Sequence, residues 1–122
     1  MQRISDYELE LMKIIWSEDV AVYATIAKAL EEKGTPWTKN TIITLLARLA
    51  DKGYLEKSKI GLHRNQYIAL ISETEYQTTQ AESFLNKVYE GNAKGLVSTL
   101  IKKDLLSSAD YEELKKHWED KG

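Results

Sequence analysis

The 122-residue sequence predicts a mainly α-helical fold carrying a small β wing, and three observations lead there. Residues 38–49 hold Ile42, Leu45, Leu46 and Leu49 at helical spacing, so one face of that segment is apolar and is expected to be buried. Gly53 then stops the helix, and two strand-like runs, 54–60 and 64–70, follow around Gly61-Leu62-His63. Beyond Ser72 the pattern returns to helical stripes up to the end of the sequence. Helices followed by one hairpin make the plan of a winged helix-turn-helix over residues 1–72, with a three-helix unit over 73–122.

Each element has a local reason. Ser5-Asp6-Tyr7-Glu8 is a capping box that opens a first helix running to about Ser17, with Leu9, Met12 and Trp16 on one face and Ile15 beside them. Val20 to Tyr23 is β-branched and aromatic, which suits a short strand at the edge of the wing. A second helix follows from about Tyr23, with Ile26, Ala27 and Leu30 inward and Gly34 as its left-handed stop. Pro36 sits in the next turn, and Thr38 caps the third helix.

Ser72-Glu73-Thr74-Glu75 is a second capping box. The helix after it carries Tyr76, Phe84, Leu85 and Val88 and stops at Gly91. A shorter one carries Ala93, Leu96, Val97, Leu100 and Ile101, and Ser107 caps a last helix with Tyr111, Leu114 and Trp118. Trp16 and Trp118 are expected to be buried. About fifty residues in three amphipathic helices rarely build a stable core alone. A second copy of the same segment is the expected cover, with packing back onto the N-terminal domain as the alternative, so residues 73–122 are read as a dimerisation domain. The residues expected at that contact are Phe84, Leu85, Val88, Leu96, Val97, Leu100, Ile101, Leu114 and Trp118.

Composition narrows the chemistry. There is no cysteine, which removes disulfides, zinc fingers and thiolate metal sites. The two histidines, His63 and His117, have no partners at ligand spacing, and no phosphate loop or nucleophile elbow is present. No cofactor, metal or enzymatic activity is expected. The opening residues have no apolar core of a secretory leader, and no run of apolar residues is long enough to span a membrane. The expected location is cytoplasmic.

The formal net charge is −2, yet its distribution is uneven. Residues 39–64 hold six basic side chains against two acids, a local +4, whereas residues 71–122 hold seven lysines against ten acids. The basic charge lies where a recognition helix and wing would meet DNA. The outer face of the third helix offers Asn40, Thr41, Ile43, Thr44, Ala47 and Arg48, mostly short hydrogen-bonding side chains of the kind that enter a major groove.

From this pattern Thr41 and Thr44 are expected to read base edges or thymine methyls, with Ile43 making apolar contact. Thr38, Lys39 and Asn40 fall in the first turn, where a phosphate can be held; Thr38 as plain N-cap is equally open. Arg48 is expected to clamp a phosphate, its alternative being an ion pair with Asp51. Lys57, Lys59, His63 and Arg64 on the wing would track the backbone without reading sequence. Edge protection is the other reading of Lys57 and Lys59.

Three separate blocks resemble one family. The segment Ile4 to Trp16, the block from Trp37 through Leu45-Leu46, Arg48-Leu49 and Lys52-Gly53-Tyr54-Leu55, and the stretch Ser83 to Gly91 with Leu96-Val97 are similar to the BlaI/MecI/CopY penicillinase-repressor family. The resemblance implies a homodimeric transcriptional repressor that binds a double-stranded palindromic operator with TACA/TGTA half-sites. It also implies relief of repression through a sensor-protease and cleavage inside the dimerisation domain, at a position that aligns with Thr99-Leu100. Here the sequence departs from the family's Asn-Phe pair, and the cysteine cluster of the copper-sensing branch is absent. Two other readings remain open from the residues: a ligand-sensing regulator of the MarR type, and a winged helix used only for protein contact.

Overall fold

The computed structural model describes residues 2–18, 20–35, 37–62 and 64–121. Its elements run α1 (Asp6–Ser17), β1 (Ala21–Val22), α2 (Tyr23–Glu32), α3 (Lys39–Asp51), β2 (Leu55–Ile60), β3 (Arg64–Ala69), α4 (Glu73–Val88), α5 (Ala93–Lys102) and α6 (Ser108–Lys121). The chain forms two compact units, Met1–Tyr76 and Gln77–Gly122. Pro36 and His63, to which the sequence gave a turn and a wing-tip contact, lie outside the described residues.

In the first unit the helices begin and end at the signals read from the sequence. Ser5 accepts from the Glu8 N–H, and Glu8 reaches back to the Ser5 N–H, which completes the capping box of α1. Thr38 caps α3 by accepting from the Thr41 N–H at 3.2 Å. Gly34 and Gly53 take φ of +78° and +86° after α2 and α3, a conformation any Cβ would disfavour. Val22 precedes α2 and supplies no side-chain cap.

The sheet is antiparallel in the order β1-β3-β2, so β3 is central. Leu55 faces Ala69 at one end of the hairpin and Ile60 faces Arg64 at the other. Ala21 and Val22 pair with Tyr67 and Gln66 on the far side of β3. The expected first strand therefore exists, shortened to two residues.

The core lies within this unit. Leu11, Met12, Ile14 and Ile15 of α1, Ile26 and Leu30 of α2, and Ile42, Leu45, Leu46 and Leu49 of α3 pack on Ala21, Tyr54, Leu55 and Tyr67. In α1 the buried arc is wider than the expected stripe and centred differently. Leu9 and Trp16 are only half-buried, because α1 is packed by α2, α3 and β3 and needs apolar residues on more than one side. Trp16 donates its indole N–H to the Ile71 carbonyl at 2.8 Å and lies beside the Tyr76 ring. Tyr76, in the first turn of α4, also meets Tyr54 edge-on, which is why that turn belongs to the first unit.

The second unit is built differently. Asn92 caps α5 through the Gly95 N–H, and Ser107 and Asp110 exchange bonds at the start of α6. The Tyr89 hydroxyl and Thr99 Oγ1 lie 3.1 Å apart. No described residue of α4, α5 or α6 is buried. Trp118, expected to be buried, is 82% exposed, since no described residue of the second unit encloses its ring.

Candidate nucleic-acid interface

The apolar face of α3 is consumed by the core, and this dictates which side chains α3 can show outward. Asn40, Thr44 and Ala47 lie along the middle of the exposed face, all open to solvent. Thr41 and Arg48 flank it on one side, and Lys39 and Ile43 on the other. The Thr38 and Thr41 hydroxyls lie 2.9 Å apart in the first turn, and Thr38 Oγ1 also accepts from the Thr41 N–H, so the Thr41 hydroxyl keeps the greater capacity for a further partner. Among the described residues Arg48 forms no ion pair with Asp51 or any other acid, which leaves its guanidinium available.

On the Ile43 side a cleft of about 270 Å³ opens where β1, α2, α3 and β3 meet. Its lining includes Tyr23 and Ala24 from the first turn of α2, Lys39 and Ile43 from α3, and Arg64 and Asn65 from β3. Lys39 Nζ stands 5.4 Å from the centroid of the Tyr23 ring, which supports the ammonium without neutralising it. The uncapped first turn of α2 adds the positive end of a helix dipole to the same wall. Lys57 and Lys59 are exposed on β2, opposite Tyr67 and Asn65, and cross-strand partners share a face of a sheet. The wing lysines thus stand on the side of the sheet that lines the cleft.

The arrangement combines a protruding helix of short polar side chains with cations on its flanks and on the adjacent hairpin. Such a surface suits a polyanion with hydrogen-bonding groups in a groove. Sequence reasoning located the α3 face and the wing but missed Tyr23, Ala24 and Asn65, which reach the site through chain reversal. It also counted Lys52 among the basic residues of this surface. The structure turns Lys52 inward, where its Nζ lies 2.9 Å from Glu8 Oε1 and 3.0 Å from Oε2. The Glu8 carboxyl is desolvated, which raises its pKa, yet hydrogen bonds from the Ser5 backbone, Lys52 and the Ser5 side chain and the Lys52 charge together hold it below its ordinary value.

Helices α1–α3 with the β1-β3-β2 sheet define a winged helix-turn-helix protein. The model of the penicillinase repressor family matches residues 4–120, and the chain belongs to that family. It is 37% identical over 112 residues to the penicillinase repressor of Bacillus licheniformis, covering 92% of this chain and 86% of that protein. To the methicillin resistance regulatory protein MecI of Mammaliicoccus sciuri it is 34% identical over 112 residues, 92% of this chain and 89% of the relative. Among solved structures it is similar to the monomeric form of Bacillus licheniformis BlaI in complex with the blaP half-operator. That likeness has 39% identity and a TM-score of 0.51, over 62% of this chain and 89% of the other. Among the described residues no helix is long and apolar enough to cross a membrane.

Proposed function

We propose that this protein is a sequence-specific DNA-binding transcriptional repressor. The observation that carries the reading is the exposed face of α3, short and polar, flanked by the unpaired Arg48 and by Lys39 and Arg64 at the cleft, with Lys57 and Lys59 exposed on the hairpin. The relative solved on its half-operator, a related chain over the matching segment, supports it. In this reading α3 enters the major groove. Asn40, Thr41 and Thr44 meet base edges, and Ile43 meets a thymine methyl. Thr38, Lys39, Arg48, Lys57, Lys59, His63 and Arg64 act on the phosphates, and the first turn of α2 supplies backbone N–H groups beside them.

The reading continues to a homodimer joined through the second unit, which matches a palindromic operator with TACA/TGTA-like half-sites. Relief by proteolysis would fall at Thr99-Leu100, inside α5, where Thr99 Oγ1 also donates to the Gly95 carbonyl at 3.1 Å. A protease needs extended backbone, so cleavage there requires α5 to open first.

The deciding experiment titrates the protein with a TACA/TGTA palindromic duplex and with a scrambled duplex across a salt series. Preference for the palindrome with two chains per duplex is the expected result. Equal, steeply salt-dependent binding to both would reduce the protein to a general DNA binder. No binding at low salt would leave a winged helix used for protein contact.

A further inference from the structure

Glu8 is the one buried charged residue among the described residues, with 3% of its surface exposed. Its carboxylate accepts from the Ser5 N–H at 2.9 Å and from Lys52 Nζ through both oxygens. Lys52 Nζ also donates to the Arg3 carbonyl at 3.0 Å, so the ammonium is fully engaged inside the protein. Tyr54 adds a hydroxyl bond to the Gln2 carbonyl at 2.5 Å, and the segment leading into α1 is thereby tied to the chain leaving α3.

Lys52 is the C-cap of α3. The neighbour of Glu8, Tyr7, meets the ring of Trp37 edge-on at 5.0 Å, and Trp37 immediately precedes the N-cap Thr38. Two adjacent residues in the first turn of α1 therefore grip the two ends of α3. At 13 residues α3 is about 20 Å long, so a tilt of about 5° about one end moves the other by roughly 1.7 Å. A displacement of that size breaks a hydrogen bond to a base edge.

A buried ion pair is weak evidence of a role in stability, because an apolar pair of similar volume commonly packs as well or better. Its particular property is direction: three donor–acceptor vectors fix where the end of α3 sits. We propose that Glu8 and Lys52 are positioning residues for operator recognition, a lock that sets the pose of α3, and that Lys52 holds no phosphate. This rests on the DNA-binding reading above.

The test uses full-length Glu8→Gln, Lys52→Met and the apolar double variant Glu8→Leu/Lys52→Leu. Affinities are measured for the palindromic and scrambled duplexes across a salt series, with thermal unfolding alongside. Each variant is expected to lose about tenfold of its preference for the palindrome, with its scrambled-duplex affinity and salt slope close to wild type. The double variant also gives up the Ser5 N–H bond of the α1 capping box, so its binding is measured well below its own unfolding temperature, which separates pose from stability. The two single variants then move operator binding in the same direction. Electrostatics alone would have the loss of an acid strengthen binding and the loss of a base weaken it.

A fall in salt slope of about one unit for Lys52→Met, with equal weakening on both duplexes, would overturn the lock by making Lys52 a phosphate contact. Full retention of preference in the double variant would overturn it by making the pair merely structural. A wild-type protein without preference for the palindrome would bring down the operator reading and the lock with it. Failure of the lock alone is recognised by an intact wild-type preference.

Discussion

The two units of this chain treat their apolar residues in opposite ways. In the first, α1, α2 and α3 each direct a stripe of Leu, Ile and Met into a common core closed by the sheet, and Leu11, Met12, Ala21, Ile26 and Leu49 are sealed from solvent. In the second, α5 carries a stripe at least as regular, yet Val97 and Ile101 are exposed, as are Phe84, Leu114 and Trp118. The clefts along α5 and α6, of about 570 and 630 Å³, share Val97 and Trp118 and are walled mostly by apolar side chains. Amphipathic periodicity says that a face wants cover; it does not say where the cover comes from. The first unit finds it within its own chain. For the second we propose a second copy.

The sharpest way to break this contrast is to damage each unit in turn. Leu49→Ala, at a fully buried position of α3, should cost the first unit about 3 kcal/mol, read as a lower urea midpoint. Val97→Asp should leave the unfolding of the first unit unchanged and instead weaken self-association by roughly 2 kcal/mol, about 30-fold in dimer Kd, measured by sedimentation. Dimers that persist in Val97→Asp would show that the stripe of α5 is not the contact.

Acid should act on the first unit through Glu8. Its carboxyl lies below the ordinary value in the folded state, so the pairing stabilises above the unfolded pKa and is lost as pH falls through the folded one. Unfolding free energy should therefore drop on acidification below about pH 4.5, and the drop should be shallower in Glu8→Gln.

Smaller effects separate the proposed DNA face from the proposed assembly face. Arg48→Ala should weaken operator and scrambled duplex alike and reduce the salt slope by about one unit, with self-association untouched. Thr44→Ala should lower discrimination by roughly 1 kcal/mol with scrambled-duplex affinity nearly constant. Equal losses on both duplexes would remove Thr44 from base reading.

Much of the fold was legible because its signals are local. The Ser5–Glu8 box, the Thr38 cap, Gly34, Gly53 and the hairpin around Gly61 involve residues within a few positions of one another, and the structure places each within a residue or two of expectation. The buried face of α3 was legible for the same reason: Ile42, Leu45, Leu46 and Leu49 are neighbours on one helix. The face of α1 was misjudged because three elements pack on it, and a single stripe underestimates a helix buried from several sides.

The site divides along the same line. Periodicity alone selected the outward side chains of α3, since whatever is not turned to the core must face outward. It could not reveal that Lys52 leaves the basic surface, because its partner Glu8 is 44 positions away in the chain. Nor could it bring Tyr23, Ala24 and Asn65 to the cleft, since β1 and α2 meet β3 only through long-range pairing. The sequence by itself determined the order and ends of the helices and the inner face of α3, because capping and helical periodicity act over one or two turns. Tertiary structure decided which cations remain free and which buried acid pairs with the C-terminal end of α3, because charges are paired by distance in space and not by distance along the chain.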